Sequence, residues 1–266
     1  MSRYLPDDNL SYPVLINIGD FSGSGFFLNH SKKSLYLVTA RHVLFKQDDQ
    51  KNFYLVSNKG SLTVYGKDLT ISTPSLFELD LDVLQKNGNL KFNNFADVAI
   101  VKFADLSVED NGMQVATFIT GVSQKTKIDN PIVGVKDENI KYYSDVLVSN
   151  EALILGYPNS LGDTKSGQID HSRPLLRKGI VAGRNDKTKT IVLDCPVYGG
   201  NSGGMAIEVE EVTLEQRNFR IIGVVAEFVP FFEQLISRQY GTTNLNIENS
   251  GYAIVVPMDF VLDLIK

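Results

Sequence analysis

The chain has no tryptophan and only one cysteine, Cys195, among its 266 residues. A lone cysteine excludes an intramolecular disulfide and a thiolate-built metal site, and it fits a reducing compartment better than an oxidising one. Long apolar runs are missing too. No stretch approaches the ~18 apolar residues of a spanning helix, and Met-Ser-Arg-Tyr-Leu-Pro-Asp-Asp at the N-terminus lacks the apolar centre of a secretory signal. The expected location is therefore cytoplasmic, with no membrane partner. Charge of one sign is scarce: 26 Lys and Arg face 31 Asp and Glu, giving a net charge of −5 and a pI near 5.3. With no run of like charge, nucleic acid is not an expected partner. Repeats, low-complexity tracts and heptads are absent as well.

What the chain does contain is short strands. Tyr12 to Ile18, Phe26 to Leu28, Ser34 to Thr39, Phe53 to Val56, Leu62 to Tyr65 and Ala96 to Phe103 read as β in the first half. Ala152 to Leu155, Leu175 to Val181, Thr190 to Leu193, Met205 to Val209, Arg220 to Phe228 and Tyr252 to Val256 continue the pattern in the second. About a dozen such runs predict an all-β chain, as a sandwich or barrels. Helical signals are few: Leu79 to Gln85 before Gly88, and Met258 to Ile265 opened by Pro257. Residues 1 to 12 read as an extended arm. The stretch from Ala104 to Val146 is the least regular, and a division into residues 1–125 and 126–266 is expected within it.

Tyr198-Gly199-Gly200-Asn201-Ser202-Gly203-Gly204 interrupts this pattern. So many glycines suit neither strand nor helix, so the backbone here turns tightly beside another segment, or is simply a flexible connector. On a tight turn, Ser202 would expose its hydroxyl, with the N–H groups of Gly200 and Ser202 near one another. A serine hydroxyl is a weak nucleophile that needs a base, and an imidazole base works best when a carboxylate fixes its tautomer. His42 and Asp97, each at a strand edge, supply those groups. Cys195, His30 and His171 have no comparable surroundings. Cys195 reads as a small buried apolar residue, and the two histidines as surface groups.

Thr39-Ala40-Arg41-His42, Asp97-Val98-Ala99-Ile100 and Gly200-Asn201-Ser202-Gly203-Gly204, in that order, resemble the three catalytic motifs of chymotrypsin-like serine peptidases. The bacterial branch that includes the HtrA/Deg proteases is the nearest in flavour, and Ser22-Gly23-Ser24-Gly25-Phe26 also resembles its segment before the histidine strand. The resemblance implies two six-stranded antiparallel β-barrels, with the active site in the cleft between them. It implies that Ser202 is the nucleophile, His42 the base and then acid, and Asp97 the orienting carboxylate. It places the oxyanion hole at the N–H groups of Gly200 and Ser202. It also places the substrate on the strand containing Val225, Ala226, Glu227 and Phe228, with Pro196 and Gly251 at the first pocket. No cofactor or metal is implied.

Departures from the pattern carry information. Asn201 stands where the secreted digestive branch has an aspartate that receives a cleaved N-terminus, so that type of activation is not expected. Pro196 stands where the trypsin branch has its acid, so the implied preference is a small or medium apolar residue rather than Lys or Arg. The implied activity is a serine endopeptidase acting on protein or peptide, controlled by ordering of Asn159 to Arg173 or by a regulatory protein partner. A catalytically silent peptide-binding module of the same fold and an esterase with the same triad are the alternatives.

Overall fold

The computed structural model describes residues 4–108, 114–126, 128–161, 167–213, 216–237, 239 and 241–266. In the first half, β1 (Pro13–Ile18), β2 (Phe21–His30) and β3 (Ser34–Thr39) are followed by the short strands β4 (Phe45–Gln47) and β5 (Phe53–Leu55). Next come β6 (Lys59–Val64), β7 (Ser75–Asp80), β8 (Leu90–Phe92), β9 (Ala99–Val108), β10 (Gln114–Phe118), β11 (Val122–Thr126) and β12 (Val135–Lys136). The second half contributes β13 (Glu151–Gly156), β14 (Leu175–Asn185), β15 (Thr190–Asp194), β16 (Met205–Glu211), β17 (Arg217–Ser237) and β18 (Thr242–Pro257). The described residues also contain four short α-helices, α1 (Asp7–Ser11), α2 (Arg41–Leu44), α3 (Leu81–Lys86) and α4 (Met258–Ile265), and two single 3-10 turns at Asp137–Asn139 and Tyr143–Asp145. Among the described residues, no helix is long and apolar enough to cross a membrane.

The all-β expectation holds, and the described strands form two large curled sheets and a separate two-stranded sheet, β4-β5. β13-β14-β15-β18-β17-β16 close into a six-stranded barrel. The first sheet differs from the six strands expected. It has ten, along the path β10-β9-β3-β2-β1-β6-β7-β11, with β8 on β9 and β12 on β2. The hairpin β10–β11 supplies two of the four extra strands, and β8 and β12 the other two. β10 lies on the edge of β9 and β11 on the edge of β7, so the two ends of the path are consecutive in the chain and meet near Ile119 to Gly121. Inside this curl, the Phe103 ring touches Phe27, Phe77 and Phe118 at 4.8, 5.1 and 5.4 Å between centroids.

Strand burial explains the sequence pattern. β7 alternates buried and exposed residues because one face meets solvent. In β2 the run Phe26-Phe27-Leu28 is apolar throughout because both faces are covered: Phe27 enters the first sheet's core, while Phe26 and Leu28 pack against the barrel. That second core joins Val38, Val98 and Ile100 of the first half to Leu155, Met205 and Val224 of the second, and it fixes one sheet against the other. At the N-terminus, the expected extended arm instead includes α1, where the Ser11 hydroxyl donates to the Gly66 carbonyl at 2.9 Å.

Candidate active site

His42 lies in α2, the single turn that follows β3, and Asp97 lies two residues before β9. β3 and β9 are hydrogen-bonded neighbours, with Thr39 opposite Ala99, which is why residues far apart in sequence meet. His42 Nδ1 and Asp97 Oδ2 are 2.6 Å apart, and the backbone N–H of His42 donates to Asp97 Oδ1 at 3.0 Å. One carboxylate thus fixes both the ring and the backbone of the histidine. Arg41, unassigned in the sequence reading although it belongs to the Thr39-Ala40-Arg41-His42 motif, holds the other side. Its Nη1 donates to the carbonyls of Asn93 (2.5 Å) and Ala96 (3.2 Å), and its guanidinium lies 4.1 Å from the Phe53 ring centre. The loop carrying Asp97 is clamped to the helix carrying His42.

Protonation follows from these contacts. Burial alone would push the His42 imidazole down, but the Asp97 hydrogen bond and charge, with Glu227 adding to them, leave it raised. For Asp97, burial pushes upward, and the bonds and charge of His42 together with Arg41 outweigh it, leaving the carboxyl lowered. Cys195 is buried and free, and burial pushes its thiol up to about 11, which leaves little thiolate at neutral pH.

The glycine stretch is a tight turn approached closely by other segments. Gly200 and Gly203 have φ of +95° and +85°. A Cβ on Gly203 would lie 2.0 Å from the Ser24 carbonyl oxygen, and one on Gly200 would lie 2.3 Å from that of Tyr157. Only glycine fits either position. Ser24, a second residue the sequence reading left without a role, stitches the turn to the first sheet. Its N–H donates to the Ser202 carbonyl at 2.8 Å, its hydroxyl donates to the Gly200 carbonyl at 2.6 Å, and the same hydroxyl accepts from the Tyr157 N–H at 2.8 Å. Asn201 is 1% exposed, a neutral amide buried beneath the turn.

Two orientations bear on chemistry. The Gly199 carbonyl accepts from the N–H groups of Asn159 (3.0 Å) and Ser160 (3.4 Å) and from the Ser160 hydroxyl (3.3 Å). Because the peptide is trans, the Gly200 N–H points the opposite way. The Ser202 hydroxyl donates to the Ala226 carbonyl at 3.2 Å, and no hydrogen bond joins it to His42.

All three residues line one cleft of about 890 Å³ between the sheets. Arg41, Tyr54 and Phe95 form part of its wall from the first half of the chain, and Val197, Tyr198 and Val225 to Phe228 part of its barrel wall. Pro196 and Gly251 do not line it. The Cys195 N–H donates to the Gly251 carbonyl at 3.0 Å, a Cβ on Gly251 would meet open space, and Val197 and Tyr198 line the cleft instead. His30, read as a solvated surface residue, pairs with Asp137 at 2.9 Å. Of the stretch Asn159 to Arg173, residues 162–166 lie outside the described residues. Among the described residues, no group of three or more His, Cys, Asp or Glu is placed to hold a metal ion.

Two curled, largely antiparallel sheets with a His–Asp pair from one facing a serine turn from the other define a chymotrypsin-like fold. The trypsin-like peptidase domain family matches residues 23–212, and the chain belongs to that family. No curated protein sequence matches it. Among solved structures, a thermostable serine protease, AL20, from an extremophilic microorganism is similar over 97% of this chain and 96% of its own, at 12% identity and a TM-score of 0.53. Human heparin binding protein is similar over 99% of this chain and 93% of its own, at 8% identity and 0.54. An HtrA-type protease solved with a tripeptide covers 97% of this chain at 14% identity and 0.49, and the chain spans 62% of that protein's length. The fold is thus shared by AL20, named as a serine protease, and by heparin binding protein, named for binding, and the residues in the cleft must distinguish the two.

Proposed function

We propose that the protein is a serine endopeptidase that hydrolyses peptide bonds through an acyl-enzyme on Ser202. The observation that carries this reading is the 2.6 Å His42–Asp97 pair facing the Ser202 turn across one cleft. The Ser202 oxygen attacks the substrate carbonyl carbon while His42 Nε2 takes the hydroxyl proton, and the carbonyl oxygen becomes an oxyanion held by the N–H groups of Gly200 and Ser202. Collapse of that intermediate breaks the C–N bond, and His42 returns the proton to the departing amine. Water then repeats the sequence on the ester and frees Ser202. Asp97 fixes the tautomer and stabilises the imidazolium.

The resting contact between Ser202 and Ala226 favours a peptide over an ester. An extended peptide on β17 brings a backbone N–H to compete for the Ala226 carbonyl, which releases the Ser202 hydroxyl toward His42. A simple ester has no such N–H. The same contact is the one observation that favours a silent binding module, since it parks the nucleophile away from its base. Control by a partner chain or by ordering after Asn159 belongs to the proposal. Asn159 and Ser160 hold the Gly199 carbonyl out of the oxyanion site, and the Asn159 amide is tied to the Ser22 hydroxyl at 2.6 Å.

A serine-directed phosphonate tests the assignment. It is expected to label the parent and Cys195→Ala covalently and to leave Ser202→Ala unlabelled. Equal labelling of Ser202→Ala would exclude Ser202 as the nucleophile. Peptide and ester substrates with matched leaving groups then separate endopeptidase from esterase, and the expected kcat/KM favours the peptide.

A further inference from the structure

β17 does not end at the cleft. β16 pairs with it as far as Val224, and Val225 still bonds to Gly203 and Gly204, but beyond that point β18 is its only partner strand among the described residues. Past irregularities at Val225/Glu227 and Phe228/Pro230, the two strands run on as a lone hairpin from Pro230 opposite Asn249 to Ser237 opposite Thr242. At about 3.4 Å per residue this arm reaches roughly 25 Å. It is apolar and open: Phe231, Phe232, Leu235, Ile236, Leu245 and Ile247 are 54%, 58%, 56%, 64%, 60% and 56% exposed. The register sets Phe232 against Ile247 and Gln234 against Leu245, so Phe232, Ile236, Leu245 and Ile247 share one face. Folded edges are commonly protected by Lys, Pro or paired charge. Between Phe231 and Ser237 the only charged residue is Glu233.

We infer that this arm is a substrate rail: it binds an extended apolar segment of unfolded polypeptide on the acyl side of the scissile bond. The inference rests on the endopeptidase reading and deepens it. His42 protonates the leaving amine, so the leaving side of the substrate lies toward the first sheet and the acyl side toward β17. Along β17, the direction of falling residue number is closed by β16. The free edge therefore leads only one way, from Ala226 out along the arm. A substrate strand on that edge runs antiparallel to β17 and becomes the third strand of the hairpin, with alternate side chains over the Phe232 face. A two-stranded hairpin is marginal alone in water, and a third strand is the addition that stabilises it. The fit is to a stretch of about eight residues beyond those at the cleft.

The test compares two fluorogenic peptides that are identical around the cleavage site. One has an N-terminal extension of about eight alternating Val and Thr residues, and the other an equally long Gly-Ser extension. Cleavage by the parent is measured as kcat/KM, and binding to Ser202→Ala by fluorescence anisotropy. The apolar extension is expected to improve both by roughly tenfold or more. That ratio is expected to fall to near one when Phe232, Ile236, Leu245 and Ile247 are all changed to serine, and equally when the arm is shortened to a tight turn after Pro230; thermal unfolding establishes that each variant is folded. A ratio near one in the parent, or one that survives both variants, overturns the rail. A change only in oligomeric state, read by sedimentation, overturns it in favour of self-association. Selective binding to Ser202→Ala without any cleavage by the parent supports the rail while rejecting the endopeptidase reading.

Discussion

In the proposed mechanism His42 sets the pH at which the site works. As a base it must be neutral, so activity rises as pH passes its ionisation. Burial draws that ionisation down, but the Asp97 bond and charge and the Glu227 charge raise it past the balance point. The acid limb of kcat/KM is therefore expected above the ~6.5 of an unperturbed imidazole. The same shifts act on folding in opposite pH windows. The raised His42 contributes stability below its unfolded value that fades as pH rises through its folded value. The lowered Asp97 contributes above its unfolded value and is lost as pH falls through its folded one. Glu227 is the one contributor to the raised His42 that belongs to the barrel, so it can be changed without touching the His–Asp pair. Glu227→Gln is expected to move the acid limb to lower pH, measured as kcat/KM against pH on an uncharged peptide. A limb that stays put or moves upward would remove Glu227 from the account of His42.

Among the elements, the connector between the sheets depends on charges buried on β16. Lys141 Nζ bonds Glu208 Oε1 at 2.9 Å and Glu210 Oε1 at 2.6 Å, with Lys141 8% and Glu208 0% exposed at the side chain. Glu208 also accepts from Asn150 Nδ2 at 2.6 Å and from the Leu147 N–H at 3.3 Å, so one carboxylate gathers three points of the connector. Glu208→Ala leaves those donors and part of a buried charge unanswered, and the expected loss is about 3–5 kcal/mol in urea unfolding. A loss under about 0.5 kcal/mol, the range of ordinary surface substitutions, would mean that solvent replaces the carboxylate freely. Nothing in Met205 to Glu211 announces this role, because an acidic residue in a strand reads as solvent-facing until its distant partners are known. The arm was illegible for the opposite reason. The strand readings stop at Phe228 and resume at Tyr252, since alternation marks a strand only when one face is buried, and here both faces are open. The glycine turn and its partners could be read because chemistry restricts the residue types. Gly203 tolerates no Cβ beside Ser24, and a base and a carboxylate have few substitutes. Strand order could not be read so directly: β10 and β11 lie in the stretch that looked least regular, and their place on the edges of β9 and β7 is set by pairing across the sheet.

At the scale of the whole molecule, the cleft keeps its shape because its walls share a core. Met258 and Val261 of α4 are fully buried in the cluster that holds Val98 and Ile100 of the first sheet and Val224 and Val256 of the barrel. Polar contacts add to this bracing: Lys91 Nζ donates to the Leu264 carbonyl at 3.1 Å, and the Tyr143 N–H donates to Asp259 Oδ2 at 2.8 Å. The helix signalled by Pro257 and the apolar spacing after it is therefore a strut across both halves. Val98 directly follows Asp97, so the core that seats Val98 also seats the carboxylate that orients His42. Two sheets joined in this way should unfold together. Met258→Ala removes a fully buried side chain at an expected cost of about 2–5 kcal/mol. With a Tm shift of roughly 2–4 °C per kcal/mol for a chain of about this size, the decrease is readily measured. The expected outcome is a lower Tm with a single transition, in which the β-sheet circular dichroism and phosphonate labelling of Ser202 disappear over the same temperatures. Two resolved transitions, with labelling lost in the first while half of the sheet signal persists, would show that the halves are independent and that α4 does not couple them.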